Sequence, residues 1–134
     1  MTKHNHNVRV YYEDTDAGGI VYYANYLKFF ERARTEWLRQ MGIEQDILLE
    51  RSLGFVVKRV EMDNYAPARF NDLLCIESEI VELKRVSLIF KQIIRSPNKQ
   101  CLVSALIRVA CVNLSSMKPQ AIPDNILGEL KRVI

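Results

Sequence analysis

The sequence predicts an α+β fold in which an antiparallel β-sheet of five or six strands wraps around one long α-helix. Three observations carry this expectation. Apolar residues recur at helical spacing from Tyr26 to Met41, four long β-like runs follow between Gly54 and Leu114, and a short alternating strand precedes the helix. At 134 residues the chain has the length of one domain, enough to bury one core but not two, so residues 1–134 are read as a single domain.

The chain opens with a polar stretch, Met1 to Asn7, in which His4 and His6 read as solvated residues because no further ligand accompanies them as a metal site would require. From Val8 to Tyr12 apolar and polar residues alternate, which predicts a first strand that delivers Glu13 to Asp16 at its end. Gly18 and Gly19 then permit a sharp turn and a close approach of backbone to ligand. After the short apolar piece Ile20 to Tyr23, the residues Tyr26, Phe30, Ala33, Trp37 and Met41 form one helical stripe, with Lys28, Arg32, Thr35, Glu36 and Arg39 on other faces. Asn25 is the expected N-cap and Gly42 the expected C′ glycine.

Glu44 to Arg51 reads as a short helical connector. Four strands are then predicted at Gly54–Asn64, Asp72–Val86, Ser87–Arg95 and Gln100–Leu114, joined by turn signals as an antiparallel meander. In the last of them Val103, Ala105, Ile107, Val109 and Cys111 share one face, while Leu102, Leu106, Ala110 and Val112 dominate the other. Apolarity on both faces predicts a central strand covered on both sides, one by the long helix and the other by a partner subunit or terminal elements. Asp124 is placed to cap a short terminal helix ending near Ile134.

Composition excludes several classes. Hydrophobic residues at 49% and charged residues at 26% argue against disorder or a fibrous chain. A net charge of +3 carried by scattered residues gives no basic block of the kind that nucleic acid would need, though it suits an anionic small molecule. Cys75, Cys101 and Cys111 form no C-x-x-C pair and sit in apolar runs, which favours reduced thiols in a cytoplasmic protein. No stretch approaches a membrane span and the amino terminus has no apolar signal core, so a soluble, unexported protein is expected.

Taken alone, the carboxylates Glu13, Asp14 and Asp16 could serve solubility or capping as readily as chemistry. The surrounding residues decide more. Asp16-Ala17-Gly18-Gly19-Ile20-Val21-Tyr22-Tyr23-Ala24-Asn25-Tyr26, followed by Phe29-Phe30-Glu31, resembles the signature of the 4-hydroxybenzoyl-CoA thioesterase family of hotdog-fold proteins. The likeness extends through Phe55-Val56-Val57, Tyr65-Ala66-Pro67-Ala68-Arg69 and Met117-Lys118-Pro119, nearly the whole chain. Within the family it is strongest to the bacterial acyl-CoA thioesterases encoded with the Tol-Pal cell-envelope proteins.

The resemblance implies a hotdog fold, hydrolysis of acyl-CoA thioesters without metal or cofactor, and a homodimer or homotetramer with active sites at subunit interfaces. Carried over by position, the catalytic aspartate is Asp16, the oxyanion donor is the backbone N–H of Tyr23 at the start of the long helix, and the signature glycine is Gly19. Many close relatives carry histidine where this chain has Tyr23, which removes an imidazole but leaves a main-chain donor untouched. Asp16 would either attack the thioester carbonyl, giving a mixed anhydride, or deprotonate a water.

Tyr22, Tyr26 and Phe55 are expected to line the acyl slot, and Arg59 and above all the turn pair Lys84-Arg85 to meet the CoA phosphates. Two other readings are kept: a module that docks acyl carrier protein or lipid-synthesis partners, and a hotdog acyl-thioester hydratase or dehydratase. The second normally wants a histidine beside its acid, and the histidines here are confined to the amino-terminal stretch.

Overall fold

The expected helix is α1, Tyr26–Gln40, in the computed structural model, which describes residues 2–134. Its buried residues, Tyr26, Phe29, Phe30, Ala33, Arg34, Trp37 and Leu38, recur three and four apart and form one continuous stripe. The C-terminus closes as a Schellman motif. Gly42 has φ +84°, its N–H donates to Arg39 O at 3.0 Å, and Ile43 N–H donates to Leu38 O at 2.9 Å. At the other end Asn25 occupies the expected N-cap position, but its backbone is already helical and its side chain makes no cap bond. A 3₁₀ turn, Tyr23–Asn25, leads into the helix, and Asn25 Nδ2 instead donates to Asp14 O at 2.9 Å.

The sheet contains β1 (His4–Arg9), β2 (Leu53–Asn64), β3 (Leu73–Leu83), β4 (Ser87–Arg95), β5 (Cys101–Asn113) and the two-residue β6 (Lys118–Pro119). Its order is β1-β3-β4-β5-β2, every pairing is antiparallel, and β6 pairs with the end of β5. Only β3-β4-β5 is the expected meander. The pairing of β2 with β5 ends just after Asn64, where the N–H groups of Tyr65 and Ala66 share Leu102 O of β5 and Pro67 has no N–H to extend the ladder. Residues 65–72 then cross from one edge of the sheet toward the other, where β1 pairs with β3.

On the inner face β3 contributes Leu74, Ile76, Ser78 and Ile80, β4 contributes Leu88, Phe90, Gln92 and Ile94, and β5 contributes Val103, Ala105, Ile107, Val109 and Cys111, all buried against α1 and its neighbours. The second face of β5 is mixed, since Leu102, Ala110 and Val112 are buried while Leu106 and Arg108 are exposed. α2 (Gln45–Glu50) follows α1, and α3 (Asp124–Lys131) adds Ile126 and Leu130 to the core. α3 begins with Pro123, not Asp124, in the cap position. This helix wrapped by an antiparallel sheet is the hotdog arrangement that the sequence leads one to expect.

The first strand starts earlier than its most apolar part. The parity of Val8 carries back through His6 to His4, so these histidines are strand residues rather than a solvated tail. His4 stacks on Trp37 with centroids 5.7 Å apart and planes 6° from parallel, and burial lowers its pKa. Tyr11 and Tyr12 lie beyond the ladder. The backbone of Val10 exchanges bonds with Asp72 O and Asn71 N, and the chain then enters a 3₁₀ turn, Tyr12–Asp14.

Candidate active site

Residues 14–22 form a small hairpin at the surface. Thr15 pairs with Val21, Asp16 N–H donates to Ile20 O at 2.9 Å, and Tyr22 N–H donates to Asp14 O at 3.0 Å. The tip is Asp16-Ala17-Gly18-Gly19, closed by Gly19 N–H to Asp16 O at 3.1 Å, with Gly19 at φ +78°. That left-handed conformation is the reason a glycine belongs there. The hairpin is laid on residues 68–70 by Val21 N–H to Ala68 O at 2.9 Å and Phe70 N–H to Gly19 O at 3.1 Å.

The two nearby acids divide their roles. Asp14 is buried, and its Oδ2 accepts the Tyr11 N–H at 2.8 Å, which spends the carboxylate on the 3₁₀ turn. Asp16 is exposed at the tip, its Oδ1 accepting Gly18 N–H at 2.8 Å while Oδ2 accepts no bond among the described residues. One carboxylate oxygen is thus oriented by the backbone and the other is open to solvent. Directly after the hairpin, the N–H groups of Tyr23 and Ala24 have no backbone acceptor among the described residues. They are the free donors at the entrance to α1, where the helix dipole adds positive potential.

Asp16, Gly19, Tyr22 and Tyr23 therefore lie together, and all four are exposed. Tyr26 does not join them as an open wall. It is 3% exposed, and its hydroxyl accepts the Ala68 N–H at 3.0 Å, so it anchors the core beneath the hairpin. Phe55, Lys84 and Arg85 sit elsewhere. Phe55 pairs with Cys111, whose N–H bonds Val86 O just after the β3–β4 turn that carries Lys84 and Arg85. Along an extended strand the nine steps from Phe55 to Asn64 span roughly 30 Å, and the Asp16 hairpin, bonded to residues 68–70, is at the Asn64 end. Arg59 lies midway along β2 and pairs with Glu61 at 2.6 Å, while Lys84 is 4.0 Å from Glu82.

Phe55 lines a cavity of about 110 Å³ between α1 and the sheet, together with Arg34, Leu38, Val57, Phe90 and Leu130 among others. Sequence reasoning missed Arg34, its partner Gln92 and the Ser78 to which Gln92 donates. Their signal was parity: Arg34 stands four residues after Phe30 on the buried stripe, and Gln92 alternates with Phe90 and Ile94. It also missed the exposed stack of Tyr12 on Phe70, with centroids 4.1 Å apart, beside the hairpin. Among the described residues no group of three or more His, Cys, Asp or Glu is gathered as a metal site needs, and no helix is long and apolar enough to cross a membrane.

The model of the thioesterase-like superfamily matches residues 10–130. The chain is 50% identical over 120 residues to the acyl-CoA thioesterase YbgC of Haemophilus influenzae, covering 89% of this chain and 88% of that protein. It is 46% identical over 125 residues to the acyl-CoA thioester hydrolase YbgC of Escherichia coli O6:H1, covering 93% of each. Among solved structures, a probable thioesterase from Bartonella henselae superposes with a TM-score of 0.85 at 36% identity, over 91% of this chain and 100% of that one.

Proposed function

The chain belongs to the thioesterase-like superfamily, and we propose that it works as an acyl-CoA thioesterase through Asp16. It hydrolyses acyl-CoA to a free acid and CoA, the activity named for relatives at 46% and 50% identity along most of the chain. The observation that carries the assignment to Asp16 is the pairing of an exposed, half-oriented carboxylate with unpartnered N–H groups at the entrance to α1.

The thioester carbonyl would lie between the two. As the carbonyl carbon is attacked, negative charge moves to its oxygen, and the Tyr23 N–H receives it, a contribution of roughly 3–4 kcal/mol per donor in comparable sites. Asp16 supplies the attacking oxygen directly, expelling CoA thiolate and leaving a mixed anhydride for water to cleave, or takes the proton from an attacking water. Gly19 lets the tip close without a side chain over the substrate.

A homodimer completes the site. β2 is an edge strand, and antiparallel association of two such edges brings the Phe55 end of one copy to the Asp16 end of the other. Phe55 and Tyr22 then flank the acyl group, and Lys84 and Arg85 of the second copy meet the CoA phosphates; Arg59, held by Glu61, is less available. The same basic rim suits acyl carrier protein as an alternative carrier. Cytoplasmic placement is supported by the cysteine usage described above, and a link to the Tol-Pal system by the sequence likeness alone. A hydratase is disfavoured because His4 and His6 sit in β1, away from Asp16, with His4 stacked on Trp37.

The test is thiol release from a panel of acyl-CoAs by the wild type and Asp16→Asn. Turnover by the wild type that collapses in the variant supports the reading; no turnover on any chain length by a folded wild type overturns it.

A further inference from the structure

Arg34 is a cation in the core. It is 8% exposed, projects from the buried stripe of α1, and has no carboxylate in salt-bridge contact among the described residues. Its Nη1 donates to Gln92 Oε1 at 3.0 Å, and Gln92 Nε2 donates in turn to Phe30 O at 3.0 Å and Ser78 Oγ at 2.9 Å. Because Phe30 O can only accept, the Gln92 amide is fixed with its oxygen toward Arg34. A guanidinium has five N–H donors, and this one spends one of them on the protein.

Arg34 also lines the cavity of about 110 Å³. The cavity's apolar walls include Leu38, Phe55, Val57 and Phe90, with Glu31, Thr35 and Gln45 as the other polar lining, and the guanidinium carbon is 6.0 Å from the Phe90 ring centroid. Burial draws the Arg34 pKa down to about 10, partly opposed by the charge of Glu31 at the rim, so it stays protonated at neutral pH. A mainly apolar chamber with one desolvated, forked cation in its wall is matched by a short carbon chain that ends in a carboxylate, which a guanidinium grips with two parallel bonds. The cavity is small, so the chain segment inside it is short.

We propose that this cavity receives the distal end of the acyl group and that Arg34 selects acyl chains carrying a second, terminal carboxylate. The inference rests on the thioesterase reading, in which Phe55 borders the acyl slot, and deepens it by naming the substrate class. Glu31 also borders the cavity and works against an entering carboxylate, but it is exposed to solvent where Arg34 is buried, so its charge is the better screened of the two.

The experiment compares glutaryl-CoA with valeryl-CoA, equal in chain length, for the full-length wild type, Arg34→Met and Arg34→Lys. The wild type is expected to have the higher kcat/KM for glutaryl-CoA. Arg34→Met should lower the glutaryl-to-valeryl ratio tenfold or more, mainly through KM, and Arg34→Lys, which keeps the charge but not the fork, about threefold. A purely structural role for Arg34 would move both substrates together. A wild type that prefers valeryl-CoA, or a ratio unmoved by either variant, overturns the proposal. The wild-type comparison decides even if Arg34→Met does not fold. Turnover of neither substrate, nor of any other acyl-CoA, overturns the thioesterase reading itself.

Discussion

The hydroxyl of Tyr26 accepts a hydrogen bond from the backbone N–H of Ala68 at 3.0 Å, and Ala68 has no solvent exposure. Through it the first residue of α1 holds the segment on which the Asp16 hairpin rests, since Ala68 O takes the Val21 N–H. Burial raises the Tyr26 pKa, with the Ala68 bond opposing, so the hydroxyl is neutral at working pH.

Tyr26→Phe leaves the Ala68 N–H buried without an acceptor. The expected cost is about 1–3 kcal/mol, read as a lower urea midpoint with unchanged m-value. A lower kcat should accompany it, because the hairpin loses its footing. An unchanged midpoint would mean that Tyr26 is not the clamp.

Asp16→Asn separates chemistry from folding. Asparagine Oδ1 can still accept the Gly18 N–H that Asp16 Oδ1 accepts at 2.8 Å, and the position is exposed, so the melting temperature should stay within about a degree. The rate of thiol release should fall roughly 10²-fold or more, the usual range for loss of an acid–base or nucleophilic group. Retention of most activity would remove Asp16 from the reaction.

The two glycines of the tip should respond differently. A Cβ on Gly18 would lie 3.2 Å from Asp16 Oδ1, so Gly18→Ala pushes the carboxylate aside by a few tenths of an ångström. Its signature is reduced kcat with little change in stability. Gly19→Ala meets nothing within 4 Å but must hold φ +78°, so it costs about 1–2 kcal/mol in stability as well. Kinetics and thermal melts on both variants distinguish the steric from the conformational effect.

Much of this was legible in the sequence, and the misses share a cause. The helix stripe, the β3–β4–β5 meander and the Gly42 terminus were local patterns, written into spacing and a single φ > 0 position. Long-range matters were not. That β2 pairs with β5 instead of β3 depends on where residues 65–72 spend their N–H groups, and periodicity does not encode it. Asn25 does stand at the N-cap position, but residue type cannot show that the backbone before it is already turning and that its side chain bonds elsewhere. At the site, Asp16, Gly19, Tyr22 and Tyr23 are neighbours in sequence and so were found together. Arg34 and Gln92 were passed over because a charged or amide residue on an apolar stripe looks like an interruption until its partner, 58 residues away, is seen.

Glu77 provides a pH test. Burial raises its pKa, but hydrogen bonds and charge from Lys3, at 3.1 Å, and Arg95, at 3.4 Å, outweigh it and bring it below the usual 4.5. A carboxylate with a lowered folded-state pKa stabilises above the unfolded value and loses that contribution as pH falls through the folded one. Glu77→Gln should therefore be less stable than the wild type at pH 7 by under about 1 kcal/mol, with the gap closing below about pH 4. Denaturant melts across that range check it, and a gap that widens on acidification would reverse the sign.

The interface reading can be tested without touching the catalytic loop. β2 is an edge of the sheet, and Val57 and Val60 on it are 49% and 38% exposed among the charged residues Lys58, Arg59, Glu61 and Asp63, an edge with backbone groups free to pair. If two copies join antiparallel about an axis near Val60, each residue faces the one equally far on the other side, so Phe55 of one copy comes opposite the partner's Tyr65, next to the partner's Asp16 hairpin. Val60→Asp would set two carboxylates across that axis, beside Glu61 and Asp63 of each copy, where like charges repel. Sedimentation should show a dimer for the wild type and a monomer for the variant, and thiol release should drop tenfold or more while circular dichroism keeps the same strand and helix content. A variant that is monomeric and fully active would place the whole site within one chain, and Phe55, Lys84 and Arg85, at the far end of the sheet from Asp16, would then have no part in it.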